Sequence, residues 1–238
     1  CNAFSTAWYD VVTINDVITH LKDWFQNVKG ATVATFEAAQ RLADELNDCP
    51  TARSTVIMAL YQMFYPLKSL SVDYGATVSG MSQSKLEQLN QTAPKRVKLK
   101  WSADVLDDIR AVQGLSFSPS IALDANESLT FQDMTLLKQL EQYTILYLEE
   151  PFSDFQNDLI EEAAAYVLIA IDEKATSEAD IMHLVKQYPI DTVILKPFRL
   201  GGIDKVYTVM KQLQQRGLHV VVGGMYEFGL SRYFTALI

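Results

Sequence analysis

The feature that most limits this chain is a period. Five apolar runs each end in a charged side chain, and those charges, Lys100, Asp124, Glu149, Asp172 and Lys196, recur every 23 to 25 residues. The runs are Val97-Lys98-Leu99-Lys100, Ile121-Ala122-Leu123-Asp124, Ile145-Leu146-Tyr147-Leu148-Glu149, Leu168-Ile169-Ala170-Ile171-Asp172 and Thr192-Val193-Ile194-Leu195-Lys196. Helical patterns fill the gaps, as over residues 131–142 and 179–187. One strand, one helix and two loops make a repeat of this size. Strands apolar on both faces suit a parallel sheet covered by helices, and a repeated βα unit closes into a barrel. Such barrels build their sites at the C-terminal strand ends. A solvated loop charge accounts for any one of these residues, but poorly for five in phase.

Composition sets the remaining bounds. A chain of 238 residues can bury a large core as one barrel, alone or with a small partner domain. Its 49% apolar and 21% charged residues describe a globular protein. A net charge of −9 without a basic run argues against nucleic acid and against anionic membranes. No apolar run approaches the roughly 18 residues of a membrane span. Two cysteines, Cys1 and Cys49, make no disulfide framework, and no signal-peptide pattern is present, so a cytoplasmic location is expected. A homo-oligomer is compatible with the sequence. The first residue is not Met, so residue 1 is not taken as a native start.

Residues 1–67 lack the period. Asn15 can cap a helix carrying Val17, Leu21 and Trp24. Thr35 can cap a second helix that Pro50 closes, and Thr51 a third that Pro66 stops. His20 reads as a surface or core histidine. These helices are expected to be the helical part of an N-terminal α+β capping domain whose strands precede residue 1. Residues 68–238 then form a TIM-type (β/α) barrel. Its first strand falls within 70–80 and its seventh runs from His219 to Gly223. An eighth is missing, so the segment alone is expected to be less soluble and far less active than a longer chain.

The charged residues suggest a chemistry. Lys98 and Lys100 are two apart and face the same way. Mutual repulsion and burial would depress a lysine pKa and make a general base. Asp124, Glu149 and Asp172 are oxygen ligands suited to Mg²⁺ or Mn²⁺ rather than zinc. Without a cation their convergence would be repulsive. Glu150 and Glu173 face away from their neighbours Glu149 and Asp172; Asn126 and Glu173 fall behind the ligands. Lys196 is expected across the mouth from Lys100. A metal flanked by lysines suits removal of a proton α to a substrate carboxylate and stabilisation of the enediolate. Gly201-Gly202 is either an anion nest or, more simply, a turn. Gly223-Gly224-Met225 fits either an apolar part of a substrate or a tight strand exit.

Taken in order, Lys98-Leu99-Lys100, Asp124-Ala125-Asn126, Glu149-Glu150-Pro151, Asp172-Glu173, Lys196-Pro197-x-Arg199-x-Gly201-Gly202 and Gly223-Gly224-Met225-x-Glu227 resemble the enolase superfamily. The resemblance is to its muconate-lactonizing-like branch, and within it to the o-succinylbenzoate synthases. It covers residues 70–238 well and the first 65 more loosely. It implies Asp124, Glu149 and Asp172 as metal ligands, Lys100 as the acid/base, Lys98 as its neighbour and Lys196 as the opposite lysine. Gly223, Gly224 and Met225 would line the substrate pocket. The implied activity is a dehydratase of menaquinone biosynthesis acting on a small carboxylate; the implied alternative is an N-acylamino-acid racemase. An inactive metal-binding fragment is the reading from another class. The sequence departs from the family pattern at Glu150, where Gln is expected, at Lys174, where Ser is more usual, and at Phe198, where a small residue is more usual.

Overall fold

The structure, a computed structural model, describes residues 12–155 and 158–238. Cys1 lies outside the described residues; Cys49 is buried. Seven strands follow one another in chain order in one sheet. The described residues divide into two compact units, one made of residues 72–155, 158–175 and 179–193, the other of residues 12–71, 176–178 and 194–238. Among the described residues no helix is long and apolar enough to cross a membrane.

The first of these units holds the repeat. Its strands are β1 (Gly75–Val78), β2 (Arg96–Lys100), β3 (Ser120–Asp124), β4 (Ile145–Glu149), β5 (Ile169–Ile171) and the start of β6 (Ile190–Leu195). Successive strands from β1 to β6 pair in parallel. The helices between them are α4 (Gln83–Thr92), α5 (Val105–Gln113), α6 (Met134–Lys138), α7 (Leu159–Ala164) and α8 (Glu178–Gln187). Alternation on β2 is clean: Val97 and Leu99 are fully buried, whereas Lys98 and Lys100 on the other face are partly open. Burying each such aliphatic side chain favours the fold by about 1.5–3 kcal/mol. The register then aligns strand ends. Lys100 stands opposite Asp124, and Asp124 opposite Glu149. Neighbouring parallel strands lie about 4.8 Å apart, so side chains at one level are within reach of each other.

The other unit is mostly helical. Here α1 (Ile14–Val28), α2 (Phe36–Ala43) and α3 (Pro50–Phe64) share a core with α9 (Pro197–Leu200), α10 (Ile203–Gln215) and α11 (Leu230–Leu237). β7 (His219–Val222) lies in this unit too, and the Gly223 amide just past its end donates to Leu195 O at 2.9 Å. The α1 cap is Thr13 rather than Asn15. Its hydroxyl accepts from Asp16 N–H and the Asp16 carboxylate accepts from Thr13 N–H, a reciprocal box that Asn15, already inside the helix, cannot make. Pro50 starts α3 instead of closing α2, which ends at Ala43 and continues as a 3₁₀ turn through Leu46. At the first helical position the missing proline N–H costs nothing.

A buried cation braces this unit. Arg53, 2% exposed, pairs with Asp44 at 2.8 Å and with Asp204 at 2.9 Å, and donates to Gly201 O at 2.7 Å. The Gly201-Gly202 pair is a turn. Both amides donate to Pro197 O, at 3.0 and 2.8 Å. Gly202 has φ +143°, and a Cβ there would meet Asp204 Oδ1 at 2.6 Å. Arg53→Met should therefore destabilise the protein by about 3–5 kcal/mol, because it strands the buried Asp204 carboxylate. Asp44→Asn, at a side chain 47% exposed, should cost about 1 kcal/mol or less. Urea unfolding midpoints at unchanged slope check both; equal losses would contradict the brace.

Candidate active site

The ends of β2, β3 and β4 bring four charged side chains into contact. Lys98 Nζ lies 2.7 Å from Glu149 Oε1 and 2.9 Å from Asp124 Oδ2. Lys100 Nζ lies 2.7 Å from the same Asp124 oxygen and also donates to Asn126 Oδ1. Asn126 in turn donates through Nδ2 to Glu173 Oε1 at 3.0 Å, and its backbone N–H donates to Asp124 Oδ1 at 3.3 Å. The two lysines thus share one face, as their spacing predicts, and they also share one carboxylate. Asp124, Glu149 and Asp172 are all buried.

Electrostatics separates the groups. Burial pushes the Glu149 carboxyl up, Asp124 and Asp172 add to the push and Lys98 opposes it; the outcome is a pKa of about 7. Burial acts on Asp124 too, but Lys98 and Lys100 outweigh it and hold Asp124 below the usual carboxylate range. Lys98 runs against the expectation of a depressed lysine. Burial lowers it, yet Glu149 and Asp124 together raise it above the ordinary lysine value. Two close carboxylates decide this, and they outweigh both the burial and the second ammonium on which the expectation rested.

The donor chemistry fits a hard divalent cation. Burial is the main cause that lifts Glu149 and the neighbouring Asp124 and Asp172 carboxylates add to it, and a dication beside these oxygens would offset both. As the side chains stand, no group of three or more acidic, histidine or cysteine side chains among the described residues is placed to hold a metal ion. The Lys98 ammonium bridges Asp124 and Glu149 and supplies the positive charge there.

The remaining candidates belong to the helical unit. Lys196 directly follows β6, at the start of α9, and is 5% exposed. A Cβ on Gly223 would meet Ile194 Cγ2 at 3.0 Å and Lys196 Cε at 3.4 Å, so the glycine leaves room for the lysine stem. Gly224 sits against the Glu227 carboxylate, where a Cβ would lie 3.0 Å from Oε2. Met225 packs in the core with Ile57, Phe198 and Phe234. Glu227 itself is buried, accepting from Thr235 Oγ1 at 2.6 Å.

Sequence reasoning missed one connected group. Glu150, fully buried with φ +44°, accepts the backbone N–H of Asp172 at 2.8 Å and of Lys174 at 3.1 Å. Lys174 Nζ lies 2.8 Å from the other Glu150 oxygen. Burial pushes Glu150 above the ordinary carboxyl value despite Lys174. These residues are two of the departures from the family pattern, which is the only signal the sequence carried for them.

Comparison with known proteins gives the family. The family described as "Enolase C-terminal domain-like" matches residues 82–236. An o-succinylbenzoate synthase of Bacillus subtilis (strain 168) is 26% identical over 97% of this chain and 67% of its own length. An N-succinylamino acid racemase of Thermus thermophilus is 27% identical over 58% of this chain and 38% of its own. The chain thus spans two thirds or less of these relatives. Among solved structures, a member of the enolase superfamily from Listeria innocua superposes with a TM-score of 0.81 at 23% identity, covering 99% of this chain and 70% of that one. A dipeptide epimerase from Enterococcus faecalis V583, complexed with Mg and the dipeptide L-Leu-L-Tyr, gives a TM-score of 0.78 at 19% identity, covering 98% and 72%. The family match over most of the chain, with the same fold in both solved structures, establishes that this chain belongs to the enolase superfamily and carries its C-terminal domain.

Proposed function

We propose that this chain carries the active site of a divalent-metal-dependent dehydratase that forms o-succinylbenzoate from a cyclohexadiene carboxylate by elimination of water. The observation that carries the reading is the shared level of Lys100, Asp124 and Glu149 on three adjacent strands, with Lys98 Nζ reaching both carboxylates from two residues below Lys100. The likeness to o-succinylbenzoate synthases supports the substrate class. Residues 1–67 are assigned to the helical part of a capping domain, and the compartment is taken as the cytoplasm.

Mg²⁺ or Mn²⁺, held by Asp124, Glu149 and Asp172, would supply the Lewis acid for the substrate carboxylate. The chain's own residues divide the proton chemistry. Lys98 is clamped by two carboxylates and kept protonated, so it serves as a fixed positive charge. Lys100, at 33% side-chain exposure, is the more open of the two and is assigned the proton transfer. Acting as the base, Lys100 Nζ takes the α-proton, the C–H electrons become the new C=C bond, and the hydroxyl leaves with that same proton as water. Asp124 and Asn126 orient its Nζ. Lys196 is assigned the second cation beside the developing negative charge.

A racemase is the second reading, favoured by the relatives that catalyse racemisation or epimerisation. It differs in needing two lysines that both exchange protons. Arginine keeps the charge but cannot act as a base near neutral pH. In the full-length protein, Lys100→Arg should lower dehydration by roughly 10²–10⁴-fold, the range of a lost general base. Lys196→Arg should leave measurable dehydration and abolish racemisation. Turnover with each substrate type, and α-proton exchange in deuterated water, read this out. Near-normal dehydration in Lys100→Arg removes Lys100 as the base.

The metal assignment carries its own test. Chelation should abolish turnover and added Mg²⁺ should restore it. Glu149→Gln should weaken Mg²⁺ binding by calorimetry at least about tenfold, since it deletes an oxyanion donor. Unchanged affinity in that variant would remove Glu149 from the ligand set.

A further inference from the structure

We propose that Lys174 is a positioning residue that ties together the three loops following Asp124, Glu149 and Asp172 and thereby sets the spacing of those carboxylates. This rests on the metal-binding reading above. Lys174 Nζ pairs with Glu127, in the loop after β3. It lies 2.8 Å from Glu150 Oε1 and donates to Phe152 O at 2.8 Å, both in the loop after β4. It also stands over the Phe155 ring at 4.8 Å. Lys174 itself belongs to the loop after β5. One ammonium therefore joins three strand exits.

The backbone reinforces the same junction. Glu127 N–H donates to Glu150 O at 2.7 Å, Leu129 N–H to Pro151 O at 2.9 Å, and Ser128 forms a bridge with Phe152. Glu150 completes the circuit by accepting the N–H of Asp172. Each junction residue lies one to three positions beyond a candidate ligand: Glu127 after Asp124, Glu150 after Glu149, Lys174 after Asp172. Asn126, Glu127 and Glu150 all hold positive φ values, of 45°, 61° and 44°. Such conformations persist only where surrounding contacts impose them. Glu150 has no exposed surface, so removing its cation leaves an uncompensated buried charge, and the loop must open to water. Mg²⁺ tolerates little change in donor spacing. Groups that orient metal ligands typically change affinity 10–100-fold when removed.

The test uses the parent protein, Lys174→Met, the double variant Lys174→Met/Glu150→Gln, and Glu127→Gln. Mg²⁺ affinity is measured by calorimetry, and amide exchange is followed at Asp172 and Lys174. Lys174→Met should weaken Mg²⁺ binding at least about tenfold and speed exchange at these two amides, but not at Val97 and Leu99. The double variant should recover most of the affinity, because the Gln side-chain oxygen still accepts the Asp172 N–H without an unpaired charge. Lost stability with unchanged Mg²⁺ affinity, or a double variant no better than the single one, overturns the proposal. If Lys174→Met does not fold, Glu127→Gln decides. A weakening of about threefold or more supports the junction, and parental affinity overturns it. If the parent takes up no Mg²⁺, the metal reading fails, and amide exchange alone then decides whether Lys174 holds the loop.

Discussion

Three acidic side chains buried on neighbouring parallel strands are an electrostatic problem that the rest of the repeat unit is arranged around. The parallel register brings Asp124 and Glu149 to one level, and Asp172 follows two residues beyond the partner of Glu149. Burial, with Asp124 and Asp172 adding to it, pushes the Glu149 carboxyl up to about 7. Lys98 answers part of that charge from the adjacent strand. The same register fixes Lys100 beside Asp124, so the proposed ligands and the proposed base share one framework. A one-residue slip of β2 would turn both lysines to the opposite face and put Val97 and Leu99 in their place.

Each unit braces one part of this machinery with the same device. In the helical unit a buried Arg53 binds two carboxylates, Asp44 and Asp204, and one carbonyl, that of Gly201, five residues beyond Lys196. In the repeat unit Lys174 binds two carboxylates, Glu127 and Glu150, and one carbonyl, that of Phe152. Such clusters are costly to bury, and breaking one partner is costlier still. Their worth lies in holding loops that hydrophobic packing alone would leave free. In both cases the braced segment adjoins a residue assigned to the chemistry.

The strands and their charged ends were legible in the sequence because a βα repeat writes itself as a period. Lys98 and Lys100 followed from alternation alone, and Asn126 from its distance to Asp124. Helix ends were less legible. Thr13 rather than Asn15 caps α1 because a reciprocal pair with Asp16 outcompetes a single side chain. The sign of the Lys98 shift was missed for a physical reason: it depends on two carboxylates, on two other strands, whose distances periodicity does not give. The Arg53 contacts to Asp204 and Gly201 span about 150 positions, and no local pattern marks them. Glu150 and Lys174 were visible only as departures from a family pattern; that they neutralise each other required coordinates.

The central claim is that Asp124, Glu149 and Asp172 hold one divalent cation and that Lys98 yields to it. A crystal structure of the protein grown with Mg²⁺ tests this most directly. The account predicts one ion with an oxygen from each of the three carboxylates at about 2.0–2.1 Å. Lys98 Nζ should then no longer bridge Asp124 and Glu149. An ion bound elsewhere, or Lys98 still seated between those two carboxylates at saturating Mg²⁺, would contradict it.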